Sequence, residues 1–544
     1  MTATNGTTGA PSQASPSIVE RKLSISEQAS AASSRRISAP SCLKWFEWPF
    51  RIKNPNTHAY LEEATGQAMD YCGRGPINQA GSFVGSAILK LAAMEAGGIN
   101  QTIHGIKVSS LLTIGNLIAG VTAGVTMPLV GALVDHTDHR KAMGALSALV
   151  VVACAGGQLS LGADTWFAVY ILGIILGYFF IMHQVCVMAY LPDLTHDTTE
   201  MGHYTAMFMT RQYFVQGLYT TLIVVVGFTT SITDVQTAKL GIGLAFCIGS
   251  LCFAYAWGFL FRKRPKLREV PAGQNILSTG FVQLWTTSKV VFTQYPALKW
   301  FMISLLWSPE AGAGTILAIA VTFLTLFVRM SVSEISLVSL CMLFANIPGA
   351  MISRYMCKKI NPLNSFRAAE ILFAVATALI AGTVTGPEKK HLVYIYSVMI
   401  GIGFGWMFPS QRTTVVALVP KGQETEIMGL VSFFGQIIGW LPSFFFTIMN
   451  ENGVNMRWGI GMVSFFLLTS FLCTLMCGDF NKAVELVAHT SDAYLQEFAK
   501  RSSMKNSFMK NEEIAEELNN STNGRGSAVD KVPVDDENVE EEIA

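Results

Sequence analysis

Between residues 78 and 477 the chain is a succession of long apolar runs separated by short polar turns. A helix needs about 20 residues to cross the hydrocarbon of a bilayer. Inside lipid every backbone polar group must be satisfied by the segment itself or a neighbour, so runs of this length read as α-helices. They fall at 78–97, 107–134, 142–162, 165–190, 208–231 and 239–261, then at 298–327, 333–355, 366–386, 391–419, 427–449 and 456–477. The first is the weakest, because Asn78, Gln79, Lys90 and Glu95 interrupt it. The expected fold is an all-α membrane protein with twelve transmembrane helices. Hydrophobic residues make up 51% and charged residues 14% of the 544. That excludes an ordinary soluble enzyme, in which about a quarter of residues are charged, and a mainly disordered chain. A net charge of +1 supplies no field for nucleic acid.

The longest internal connection, 262–297, divides the runs into two sets of six and opens with Arg262, Lys263, Arg264, Lys266 and Arg268. The spacing therefore predicts a tail at 1–57, a six-helix half at 58–261, a linker at 262–297, a second half at 298–477 and an acidic tail at 478–544. Basic turns at Arg140–Lys141 and at Arg354, Lys358 and Lys359 fall on the same side as the linker, which puts both termini in the cytosol by the positive-inside rule. The N-terminal tail is rich in Ser, Ala, Thr and Pro and reads as disordered. It carries two basic-x-Ser patterns, ending at Ser24 and Ser38, of the kind kinases modify. Residues 480–499 place Val484, Val487, Ala488 and Leu495 at helical spacing, the pattern of a helix lying on a membrane surface or of a solvated tail. The ten cysteines contain no CxxC pair, so neither a disulfide framework nor a zinc site is expected.

The two sets of six repeat each other. Gly131 in "PLVGALVDHTDHRK" matches Gly349 in "IPGAMISRYMCKK", and Pro192 in "MAYLPDL" matches Pro420 in "VALVPKG". A glycine follows each proline, Gly202 and Gly429, and the offsets are 228 for the prolines and 227 for the glycines. Parallel six-helix repeats with a site between the halves are a transporter architecture. The pattern resembles the major facilitator superfamily, whose loop motif after the second helix is matched by Gly131, Asp135, Arg140 and Lys141, with His136, Asp138 and His139 as departures. "MAYLPDL" and "SQRTTVVALVPKGQETEIMGL" (410–430) are similar to the autophagy-related vacuolar effluxers of that superfamily, with Met428 and Gln436 departing from the pattern. The resemblance implies two six-helix halves that rock about a central site and an amino acid as solute, exported from a vacuole or lysosome-like compartment.

Intramembrane charge is costly and marks candidate sites. Arg412 lies eight residues before Pro420, roughly 12 Å into the membrane at 1.5 Å per residue. Its repeat-equivalent is Gln184, and the pair is expected to face a cavity and hold substrate polar groups, the Arg by a forked contact to a carboxylate. Glu310, in "WSPEAGAGT", sits in a run broken by Pro309, Gly312 and Gly314, and is a candidate for binding solute or a proton. Lys90 is a further cavity candidate. Gly131, Asp135, Arg140, Lys141 and Arg211 are expected to gate the cytosolic side, with Arg211 pairing Asp135 or Asp193. Asp135, His136, Asp138 and His139 have metal-ligand chemistry but crowd into one turn, so no metal is expected, and no cofactor motif is present. GxxxG spacings such as Gly120/Gly124 read as close helix packing.

The sequence reading is a secondary transporter rather than an enzyme. It takes a small solute, with protons as the coupling ion, and its partners are that solute and the lipid bilayer, not nucleic acid. Two alternatives stay open: a sugar, drug or organic-anion carrier at the plasma membrane, and a non-transporting sensor or scaffold.

Overall fold

The computed structural model describes residues 41–54, 57–191, 193–195, 198–264, 275–420 and 424–489. The first half crosses six times: α1 (Glu62–Ala96), α2 (Leu111–His136), α3 (Arg140–Gly157), α4 (Trp166–Met188), α5 (Thr198–Thr229) and α6 (Asp234–Tyr255), the last continued by a π-helical turn, Ala256–Leu260. A connecting helix, α7 (Ile276–Gln294), leads into the second half. There the crossings are α8 (Pro296–Trp307) with α9 (Pro309–Thr322), then α10 (Val332–Ile360), α11 (Pro362–Thr383), α12 (Lys390–Leu418), α13 (Glu424–Phe434) with α14 (Leu441–Glu451), and α15 (Met456–Leu475). We call the face carrying residues 41–54 and α7 the terminal face, and its opposite the distal face.

Nine described helices are long and apolar enough to span a membrane by themselves. The other three crossings explain themselves. α1 carries charge at Glu62, Glu63, Asp70, Arg74, Lys90 and Glu95, and the remaining two are broken. One breaks at Ser308, whose backbone is extended just before Pro309. The other turns at 435–440, between α13 and α14. Capping fixes the helix starts: Thr233 and Ser331 each close a capping box, with Gln236 and Glu334. Pro296 and Pro362 supply the favoured first-turn proline.

Glycines let backbones meet. A side chain at Gly349, Gly401 or Gly405 would strike the carbonyls of Ile402, Met342 and Asn346 respectively, which locks α10 to α12. Gly120 and Gly124 likewise press on Trp440 and the Ile437 carbonyl, as their spacing predicted. Gly405→Val should therefore cost about 3 kcal/mol or more through overpacking. A normal yield of monodisperse protein with an unchanged melting temperature would contradict this contact.

Three boundaries differ from the sequence reading. The first crossing begins at Glu62 rather than 78, because the polar residues that lower its hydropathy are held inside the bundle. Within the segment expected to be a disordered tail, a 3-10 helix, Ser41–Phe50, docks on the bundle. Residues 480–489 are helical, but Ala483 and Val487 bury into the second half with Leu418 and Leu467, so the bundle itself covers their apolar stripe. Residues 1–40, with Ser24 and Ser38, and 490–544 lie outside the described residues.

The apolar cores are distributed unequally. One core takes in the whole first half together with the distal ends of the second, including Phe323, Met330, Val332, Val384, Val393, Phe446 and Met456. A separate core holds the terminal-side portion of the second half, including Leu298, Phe301, Phe366, Met407, Leu418 and Leu467. The halves are thus fused on the distal side and keep distinct cores toward the terminal face.

A candidate solute and proton site between and within the halves

Asp70 is the most buried acid of α1, with no exposed surface. Close packing of α1 on α6 puts it there: Gly73 rests on Phe253 and Cys252, and Gly249 on Ile77 and the Gly73 carbonyl. Asp70 Oδ2 accepts from Trp257 Nε1 at 2.9 Å and lies 2.8 Å from His183 Nε2. The other face of that imidazole meets Ser147 Oγ at 3.0 Å and the Gly144 carbonyl at 3.2 Å. Ser147 can turn its hydroxyl hydrogen toward Nδ1 or toward Gly144 O, 2.9 Å away. Nδ1 therefore has a partner whether it donates or accepts. Four crossings, α1, α3, α4 and the end of α6, meet at this one group.

Arg74, one turn along α1, places Nε 3.6 Å from Asp70 Oδ1. Its guanidinium lies over the rings of Tyr71, at 4.7 Å, and Phe180, at 5.7 Å, and its Nε and Nη1 are buried without hydrogen-bond partners. Across the interface, Arg412 of α12 donates Nη1 to Met209 Sδ of α5 at 3.6 Å. Tyr71 feels the charge of both Arg74 and Arg412, and Tyr213 of α5 that of Arg412. Tyr213 is 40% exposed although it sits mid-helix. Gln216 donates to Gln79 at 3.2 Å just beyond. Two guanidiniums with one nearby carboxylate make a locality with surplus positive charge, suited to an anionic group.

Of the residues singled out in the sequence, Arg412 joins this locality. Gln184 is half-buried next to His183, and none of the described hydrogen bonds ties it to Arg412. The side chain of Glu310 lies outside the described residues, and so does Pro192. Lys90 lies apart from this locality. It sits about 24 Å from Arg74 along α1, where Nζ binds Asp234 Oδ2 at 2.6 Å and donates to the Met330 carbonyl at 2.9 Å. Asp234 Oδ1 in turn accepts from Val332 N at 2.8 Å. A second tie joins Lys107 Nζ to the carbonyls of Asn450 and Glu451 at 3.1 and 2.6 Å, and Asn450 Nδ2 to Ser109 Oγ at 2.6 Å. Both ties cross between the halves and latch the distal face. Lys90→Met removes one of them, a part-exposed pair worth about 1 kcal/mol. Distal-side labelling of a cysteine placed at Ser86, which lies below the latch and bonds Thr325 of the second half, should then rise roughly fivefold. An unchanged labelling rate would show that Lys90 latches nothing.

At the terminal face Arg140, 1% exposed, pairs Asp193 at 2.7 Å, bonds the Ala189 carbonyl at 3.1 Å and lies over Tyr190. Arg264 joins the group through Glu63 and Asp193. Arg211 does not pair Asp135 or Asp193 as expected; it donates to the carbonyls of Met207 and Arg51, because Arg140 and Arg264 already hold Asp193. Among the described residues nothing lies within 4 Å of a side chain placed at Gly131; Asp135 and Lys141 are half-buried, and in the same turn His136 points inward while Asp138 and His139 are exposed. The connecting helix α7 reaches both halves, with Gly280 against the Pro128 carbonyl of α2 and Phe292 5.9 Å from Phe434 of α13.

Asp70, Arg74, His183 and Trp257 were not singled out from the sequence. Gln67, Asp70 and Arg74 recur at spacings of three and four, the signature of one polar helix face, and that signal was available.

The family model for the Major Facilitator Superfamily matches residues 77–443. No curated protein sequence matches the chain. Among solved structures, a D-xylose–proton symporter is similar at 12% identity and TM-score 0.55, covering 77% of this chain and 97% of its own. The inward-open xylose transporter XylE from E. coli gives 11%, 0.53, 75% and 94%, and the nucleoside transporter NupG gives 11%, 0.52, 76% and 100%. At these identities the likeness is one of fold.

Proposed function

This chain belongs to the Major Facilitator Superfamily, and from that premise we propose that it is a proton-coupled carrier of amino acids out of an acidic, vacuole-like compartment. That it is a multi-pass membrane transporter of a small solute, and not an enzyme, follows from the family itself. The observation that carries the finer reading is Arg74. A buried guanidinium with two nitrogens free of hydrogen bonds, within electrostatic reach of the same tyrosine as Arg412, offers a solute carboxylate a fork from each half. Such a solute would bridge the halves and draw them together.

The proton site in this reading is the Asp70–His183 pair, directly behind Arg74. A proton taken up there from the acidic lumen weakens the hold of Asp70 on Arg74 and leaves that guanidinium to the carboxylate. Release to the cytosol restores the Asp70–Arg74 contact and expels the solute. The latched distal face and the separate terminal-side cores support a state open toward the terminal face. Basic residues at that face support its being cytosolic. Arg140 and Lys141, with Gly131, Asp135 and Arg211 nearby, would then form the cytosolic gate.

The two guanidiniums also favour a second reading, an organic-anion carrier at the plasma membrane. Counterflow in liposomes separates them. Vesicles are preloaded in turn with neutral amino acids, basic amino acids, hexoses and dicarboxylates that lack an amino group. Exchange confined to amino acids supports the first reading, exchange confined to dicarboxylates the second, and hexose exchange alone would overturn both.

A further inference from the structure

We propose that the segment before the first crossing is a docking surface for anionic phospholipid headgroups of the leaflet at the terminal face. In the 3-10 helix Ser41–Phe50, three residues make a turn, so Trp45 and Trp48 stack on one face and Arg51 continues the row. The two indoles are 72% and 75% exposed. With Lys44 and Arg51 they line a single open cleft.

The other side of the segment is fastened down. Glu47, 5% exposed, accepts from Tyr60 Oη at 2.8 Å and Tyr255 Oη at 2.7 Å. Burial and the bond to Glu47 push the Tyr60 phenol up to about 12, so this clasp keeps its proton throughout the neutral range. Phe46 packs on Tyr255 at 5.7 Å, Ile52 is fully buried, and Ile52 N donates to Thr65 Oγ1 at 3.0 Å. The bundle therefore holds two large amphipathic rings outward in a fixed pose, where a loose tail would fold them away.

Depth identifies the occupant. Tyr255, which seats the segment, lies five residues before the helical end at Leu260, about 8 Å at 1.5 Å per residue. That is the headgroup level, where tryptophan concentrates because its ring is apolar and its N–H is wet. Charge selects the headgroup. Lys44 is exposed; Arg51 is 43% exposed, with its Nε 3.8 Å from Glu47 Oε2 and its guanidinium over Tyr60. Exposed Lys53 follows, and the segment's one carboxylate, Glu47, is turned inward. Each such cation favours an anionic lipid roughly fivefold.

The test uses full-length protein in bilayer nanodiscs and reads the emission difference between wild type and W45F/W48F. Bromines are carried at equal mole fraction on phosphatidylserine or on phosphatidylcholine, attached near the headgroup or near the chain end. Headgroup-proximal bromine should quench the difference signal more than chain-end bromine, and more on phosphatidylserine than on phosphatidylcholine. K44Q/R51Q keeps both indoles and should reduce the serine-over-choline excess roughly fivefold or more. Equal quenching by the two lipids would overturn the proposal. So would the absence of quenching by either, the result expected if a protein partner covers these rings. Neither readout depends on solute flux.

Discussion

Asp70→Ala should be the most damaging single change in the first half. It leaves the Arg74 guanidinium and the His183 and Trp257 N–H groups around an emptied, buried centre. Removing one partner of a buried charge pair costs about 3–5 kcal/mol, a large share of the 5–15 kcal/mol that holds a typical protein together. The expected outcome is a steep fall in melting temperature and in recovered monodisperse protein. Asp70→Asn preserves shape and one acceptor but not the charge. It should fold, lose pH-driven solute accumulation and keep solute–solute exchange, which needs no net proton movement. An Asp70→Asn protein with wild-type pH dependence would remove the Asp70–His183 pair from the coupling mechanism.

Arg412→Ala should have the second-largest effect, on solute affinity rather than on folding. Its described hydrogen bond is to a thioether, Met209 Sδ, a weak acceptor, so little native energy depends on it. A charge-assisted hydrogen bond to a carboxylate contributes about 1.5–3 kcal/mol, so KM for an anionic or zwitterionic solute should rise roughly 10- to 150-fold. Arg412→Lys keeps the charge without the fork and should fall between. A KM unchanged in Arg412→Ala, with melting temperature also unchanged, would place the solute elsewhere.

How much of this was legible depended on how each residue writes itself into hydropathy. Nine crossings are long and apolar enough to be read directly. α1 was truncated because the charge it turns into the bundle is what lowers its hydropathy. His183 was passed over for Gln184, its neighbour about 100° around the helix. In a helix apolar on all sides nothing in the sequence says which side faces inward. Lys90 was recognised as an unusual charge, but its partner, Asp234, is the first residue of a helix 144 positions later, and chain order gives no hint of the meeting. Arg211 was expected on Asp135 or Asp193; Arg140 and Arg264 hold Asp193, and Arg211 turns to the carbonyls of Met207 and Arg51. Glu370 of α11, fully buried against Ser470, was not singled out either: a single acid in an apolar run carries no mark of its partner.

The central claim is that solute and proton move together through Asp70, His183, Arg74 and Arg412. Its most direct test is proton flux in liposomes containing the purified protein and an internal pH dye, with an amino-acid gradient as the only driving force. The account predicts a pH change that follows the gradient in wild type and vanishes in Asp70→Asn, while counterflow of the same amino acid persists in both. No pH change under the gradient in wild-type protein that still catalyses counterflow, or an undiminished pH change in Asp70→Asn, would contradict it.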